Sequence, residues 1–138
     1  MTRAPAQTVR LTRGAKQKEG ITVGAAADAF SRLTDTLTSG TFDQIEDLYA
    51  VDSLYLEPYN PPHRGNLLIT AYLKDFFNAK SNVGIEVVRS VESDDGATLG
   101  VEWHISYDAA GRTWSDLARA SFLEVDADGL ITYHRDYT

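Results

Sequence analysis

The segment Leu130 to Thr138, Leu-Ile-Thr-Tyr-His-Arg-Asp-Tyr-Thr, places an imidazole and a carboxyl group two positions apart. Read as a β-strand, it sends Thr132, His134 and Asp136 to one side and Ile131, Tyr133, Arg135 and Tyr137 to the other, because side chains alternate faces. At a rise of ~3.3 Å per residue, His134 and Asp136 stand roughly 7 Å apart at Cα, close enough to share a cavity. Such a pair can take a proton from one atom of a small molecule and hold or return it at another, which is general acid–base catalysis. A second segment, Leu99 to Tyr107, repeats the pattern with Glu102, His104 and Ser106 on one face and Val101, Trp103 and Ile105 on the other. Alternation alone does not decide which face looks inward: turned outward, the same ionisable rows form an ordinary solvated surface.

Glu57, at the end of a short apolar run and next to Pro58, is a third candidate, a carboxylate able to point into a cavity beneath a stiff loop. Asp116 sits in a comparable but weaker context on a later strand. His63 and Arg64 belong to the loop and could grip an anion. Glu57, His104, His134 and Asp136 are also residue types that bind zinc or iron, yet no tight spacing such as His-x-x-x-His accompanies them, so no metal is expected. With no cysteine in the chain, thiolate catalysis and Cys-ligated zinc are excluded.

These residues need a scaffold to bring them together. Ala25, Ala29, Phe30, Leu33 and Leu37 recur at helical spacing, and Gly40 ends the pattern. A short second helix turns Phe42, Ile45, Leu48 and Tyr49 inward, and Ser53 to Glu57 reads as a strand stopped by Pro58. Pro58 to Gly65 holds three prolines and is read as irregular. Asn66 to Asn78 carries Leu68, Ile69, Tyr72, Leu73, Phe76 and Phe77 and predicts a third helix, with Asn66 as its cap. From Ile85 onwards the pattern is all β, with turns at Asp94-Asp95-Gly96, Asp108 to Gly111 and Val125 to Gly129, and the closing strand is central. Helices followed by a meander of long strands indicate an α+β domain whose antiparallel sheet curls over the helices.

At 138 residues the chain supports one domain with a real core. Its net charge of −7 is uneven: residues 1–20 hold five basic residues against Glu19, a basic arm on an acidic body. The acidic body argues against a nucleic-acid partner, which requires clustered Lys and Arg. No apolar run of about 18 residues suits a membrane span, and the N-terminus lacks the apolar stretch of a secretory signal, so the cytoplasm is the expected compartment. Residues 1–21 are expected to be the arm and 22–138 the domain.

Three stretches, Phe42 to Asp52, Glu57 to Gly65 and Asp128 to Tyr137, together with the element order, resemble the nuclear-transport-factor-2-like superfamily, in particular its SnoaL-like branch. The resemblance covers about residues 22 to 138. It implies a cone-shaped α+β barrel, a curved antiparallel sheet wrapped over three helices, with a pocket between them. It also implies that Glu57, Glu102, His104, His134 and Asp136 point inward. In ketosteroid isomerases of this superfamily a general-base carboxylate precedes the proline where Glu57 stands, but their oxyanion-hole tyrosine and acid fall near Leu33 and Ser121. In limonene epoxide hydrolases the closing Arg-Asp-Tyr matches Arg135-Asp136-Tyr137 and the water-positioning tyrosine matches Tyr55. Their Arg-x-Asp pair falls near Glu102-Trp103-His104. SnoaL-like cyclases use an Asp whose nearest counterpart is Asp136.

The expected function is an acid–base enzyme of isomerase, cyclase or epoxide hydrolase type, working without a cofactor on a small apolar or amphipathic molecule. Glu57, His104, His134 and Asp136 would be catalytic, and Tyr55, Tyr72, Glu102, Trp114 and Asp116 would line the ligand site. The alternative is a non-catalytic ligand-binding or dimerisation module. The resemblance further implies a homodimer paired through outer sheet faces, with Val101, Trp103, Ile105 and Tyr133 as its apolar positions.

Overall fold

A computed structural model describes residues 8–11 and 20–138. Most of the expected basic arm lies outside the described residues. The elements in order are strand β1 (Thr8–Leu11), helix α1 (Ala25–Ser39), a 3-10 helix (Phe42–Asp47), strands β2 (Tyr49–Leu56) and β3 (His63–Arg64), helix α2 (Asn66–Asn78), and strands β4 (Ser81–Ser93), β5 (Thr98–Ala109), β6 (Arg112–Val125) and β7 (Ile131–Tyr137). They form the α+β cone predicted from the sequence, a curved, unclosed sheet over three helices. The strand order is β1-β4-β5-β6-β7-β2-β3. All pairings are antiparallel except β1 with β4 and β2 with β7. The closing strand β7 is thus interior, hydrogen-bonded to β6 on one side and β2 on the other. No helix among the described residues is long and apolar enough to cross a membrane.

Helix α1 buries Ala26, Ala29, Phe30, Leu33 and Leu37, the face its periodicity predicts, and Gly40 terminates it at φ 76°, its N–H donating to the Thr36 carbonyl. A left-handed residue at that position costs glycine nothing, and it satisfies a carbonyl that the helix end would otherwise leave open. The strand after the 3-10 helix starts four residues earlier than expected, because Tyr49 already pairs with Ile131, whose N–H donates to the Leu48 carbonyl. In the proline loop, His63 and Arg64 pair antiparallel with Tyr55 and Leu54, correcting the fully irregular reading. The three prolines end at Pro62, so both residues keep a backbone N–H for pairing. Asn66 does not cap α2: Gly65 occupies the cap position, and Asn66 Nδ2 donates to the Glu46 carbonyl instead.

Which face of β5 looks inward is settled by area. Leu99, Val101, Trp103 and Ile105 are buried and belong to the core, with the Trp103 ring 6.2 Å from Phe30 of α1. Burial of each such side chain contributes about 1.5–3 kcal/mol, a gain that turning Glu102 and His104 inward would forfeit. These two therefore take the opposite face, where Glu102 accepts from the exposed Arg89 Nε at 2.9 Å. Strict alternation also fails in β7. Val125 pairs with Ile131 and Glu124 with Tyr133, which leaves Thr132 unpaired in a bulge. The bulge resets the face, so Ile131 and His134 are both buried.

A candidate acid–base site at one end of an apolar cavity

Between α1, α2 and the inner face of β4 to β7 lies a cavity of about 190 Å³. Phe30, Leu33 and Leu37 of α1, Leu73, Phe76 and Phe77 of α2, and Ile85, Trp103 and Ile105 of the sheet supply its apolar wall. Its polar lining includes Tyr55 and Glu57 at the end of β2, Tyr72 of α2, Arg119 of β6, and His134 and Asp136 of β7. The bulge at Thr132 is what aims the last two inward, and the parallel pairing of β2 with β7 sets Tyr55 beside His134.

Asp136 is the hub. Oδ1 accepts from His134 Nε2 at 2.7 Å and from Ser121 Oγ at 2.6 Å, and Oδ2 accepts from the Tyr55 hydroxyl. Trp103 Nε1 donates to Ser121 Oγ at 2.9 Å, which directs the serine proton at the carboxylate. On the far side of the imidazole, His134 Nδ1 lies 2.8 Å from the Tyr49 hydroxyl. A carboxylate only accepts, so Nε2 carries a proton towards Asp136, and Nδ1 pairs with the Tyr49 hydroxyl. Both imidazole nitrogens are thereby engaged. Each carboxylate oxygen has two acceptor sites: Oδ1 is filled, and Oδ2, with Tyr55 alone, keeps room for one further donor from the cavity.

The electrostatics follow from this wiring. Burial alone would raise Asp136, but the attraction and hydrogen bond of His134, then those of Ser121 and Tyr55, outweigh it and hold the carboxyl below its ordinary value. Asp136 is therefore an ionised acceptor at neutral pH although its side chain is only 17% exposed. Tyr49 and Tyr55 are pushed well up, first by burial and then by the Asp136 charge, so both remain neutral donors. Burial, the hydrogen bond to Glu57 and the charges of Glu57 and Asp136 raise Tyr72 likewise. Glu57 Oε1 accepts from Asn60 Nδ2 at 2.8 Å and faces His63 Nε2 at 3.6 Å.

The structure therefore brings Tyr55, Glu57, Tyr72, His134 and Asp136 together and leaves the other candidates out. Glu102 and His104 lie behind the sheet for the reason given above. Trp114 does not line the cavity: its ring lies under the Arg112 guanidinium at 4.4 Å, beside Tyr107. Asp116 is exposed at φ 52° in an irregular stretch of β6, its N–H donating to Ser106 Oγ. Sequence reading missed Tyr49, Ser121 and Trp103 as members of the Asp136 network. Ser121 is legible in retrospect, since the antiparallel register sets it directly across from Asp136. Among the described residues no three His, Asp or Glu side chains converge as a metal-ligand set.

The profile of the SnoaL-like domain family matches residues 30–134. The chain belongs to this family. No curated protein matches this SnoaL-like chain. Among solved structures it is similar to an LEH-like epoxide hydrolase of Mycobacterium tuberculosis, with 22% identity over 83% of each chain and a TM-score of 0.70. It also resembles Rv0760c of M. tuberculosis, with 16% identity, 85% of this chain and 92% of that one covered, and a TM-score of 0.75. A protein of ketosteroid isomerase-like fold from Catenulispora acidiphila, in complex with trimethylamine, shares 16% identity over 80% of this chain and 85% of its own, with a TM-score of 0.70. At these identities the likeness establishes the fold of the SnoaL-like domain, and its chemistry rests on the site.

Proposed function

We propose that this SnoaL-like domain is an acid–base enzyme for a small, mainly apolar molecule, of isomerase, cyclase or epoxide hydrolase type, with Asp136 as the proton acceptor. One observation carries the reading: a nearly buried carboxylate, held ionised by three donors, keeps one acceptor position at the end of an apolar cavity. In this scheme Oδ2 takes a proton from a substrate C–H or O–H, or from a water attacking the substrate, while His134, Ser121 and Tyr55 stabilise the carboxylate before transfer. Because Asp136 is already ionised, it receives the proton rather than supplies one. The cavity size supports a compact substrate, since an apolar cavity of about 150 Å³ already holds benzene. The epoxide hydrolase among the similar structures supports the class of reaction.

The test is a panel of small cyclic epoxides, β,γ-unsaturated ketones and ketoaldehydes, followed for conversion and for thermal stabilisation of the protein. Conversion at a rate that depends on Asp136 supports the enzyme. Stabilisation without conversion supports a binding module, a second reading favoured by one specific feature: Tyr49, Tyr55, Trp103, Ser121, His134 and Asp136 already satisfy one another. We also propose that the protein acts in the cytoplasm and that two copies pair through the outer sheet face. Val101, Trp103 and Ile105 are interior and are withdrawn from that surface, which leaves Phe122, Tyr133 and Tyr137 as its apolar positions. Sedimentation equilibrium at micromolar concentration should give the mass of a dimer, and a monomer would contradict the pairing.

A further inference from the structure

Asp136 is accompanied by an imidazole, His134, and a phenol, Tyr55; Glu57 is accompanied by an imidazole, His63, and a phenol, Tyr72. The two sets meet at Tyr55, whose ring lies 4.6 Å from that of His134 and 5.8 Å from that of His63. His63 lies face to face on Tyr72 at 4.0 Å, and its Nε2 is shielded from solvent without a hydrogen-bond partner among the described residues. A buried imidazole nitrogen left without a partner is destabilising. The acceptor in front of it is Glu57 Oε1 at 3.6 Å, and a closure of roughly 0.7 Å brings the two to ordinary N–H···O distance. Both carboxylates also bear on the same two phenols, since the charges of Glu57 and Asp136 each act on Tyr55 and on Tyr72.

We propose that Glu57, positioned by His63, is a second acceptor point of the site, so that the cavity takes a compact apolar molecule with polar functions at two positions, one held by each carboxylate. The inference rests on the reading of Asp136 as the first point. In the reaction it implies, Asp136 Oδ2 takes a proton from the substrate at one position and returns it to the substrate at another, while the Glu57 carboxylate accepts a hydrogen bond from the second polar function. The bonds that shift lie within the substrate, as in an isomerisation or the closing of a cyclic ether, and no oxidant or reductant enters. The cycle ends with Asp136 ionised as it began, and no net proton is exchanged with solvent.

The test needs no substrate. Cyclohexylmethanol offers one hydroxyl and 1,4-cyclohexanedimethanol two, and calorimetry measures the binding of each. The wild type should bind the diol about tenfold tighter, the contribution of one hydrogen bond to a charged acceptor. His63→Phe, which keeps the ring stack and removes the nitrogens, should cut that advantage below threefold and leave the monoalcohol unchanged. His63→Gln, which restores an N–H near the position of Nε2, should recover most of it. A diol that binds no tighter than the monoalcohol, or neither alcohol binding, overturns the proposal. So does an advantage that Phe keeps and Gln loses, because His63 would then serve only as a stacking ring. Asp136→Asn separates the two readings: if it leaves the monoalcohol unaffected while the His63-dependent advantage persists, the Asp136 reading fails and with it the two-point arrangement.

Discussion

Asp136→Asn should lower turnover of any substrate found with the panel by about 10²–10⁴-fold, the range that a positioned acid or base contributes. The change removes the charge that accepts the proton and puts an amide where three donors converge. If the side-chain oxygen faces His134 and Ser121, the NH2 group meets the Tyr55 hydroxyl; if it is turned round, two donors face donors. Either way the variant loses about 1–3 kcal/mol of stability, which a domain of ordinary stability survives. The variant should therefore stay folded by circular dichroism and be inactive, and retained turnover would remove Asp136 from the mechanism. The acid limb should change with it. Asp136 is depressed in the folded state, so its stabilisation is fully present above the unfolded carboxyl value of about 3.9 and is lost as pH falls through the lower folded value. The stability difference between wild type and variant should be constant through neutral pH and shrink only at strongly acid pH.

Gly96→Ala should be the most disruptive small substitution in the scaffold. Gly96 has φ +77°, and a Cβ there would come within 2.3 Å of the Thr22 carbonyl oxygen and 2.8 Å of the Val23 Cα. Both neighbours are backbone, so no side chain can swing away. The Gly96 carbonyl also accepts from the Ala26 N–H at 2.9 Å, which ties the β4–β5 turn to the start of α1 and hence to the wall of the cavity formed by Phe30, Leu33 and Leu37. The left-handed backbone costs an alanine about 1–2 kcal/mol, and displacement of the Thr22–Gly24 backbone adds to it. A loss of about 3 kcal/mol is expected, read as a fall of roughly 10 °C in Tm. An unchanged Tm would show that this segment moves aside freely.

The fold was legible because its signals are local and redundant. The α1 stripe ending at Gly40, the apolar run of α2 and the turn at Asp94-Asp95-Gly96 each specify one element and agree with the rest. Two features escaped because they depend on pairing. The early start of β2 reflects Tyr49 meeting Ile131, about eighty residues away in sequence, and the short β3 forms only because Leu54 and Tyr55 offer it an edge. Glu57, His134 and Asp136, singled out by residue type and position, line the cavity. His104 and Glu102 were misplaced because the resemblance implied an inward face that the burial of Val101, Trp103 and Ile105 overrides. Tyr49 went unrecognised because its place in the helical pattern explained it as core, and it is core as well as the partner of His134.

Asp136 as a preset, ionised acceptor at the end of the cavity can be checked by carboxyl ¹³C NMR of labelled protein titrated with acid. The Asp136 resonance should titrate below the usual carboxylate range in the wild type, and its midpoint should rise in Tyr55→Phe and in Ser121→Ala as each donor is withdrawn. A midpoint at or above about 3.9 in the wild type, unmoved by either substitution, would mean that the three donors do not hold the carboxylate ionised.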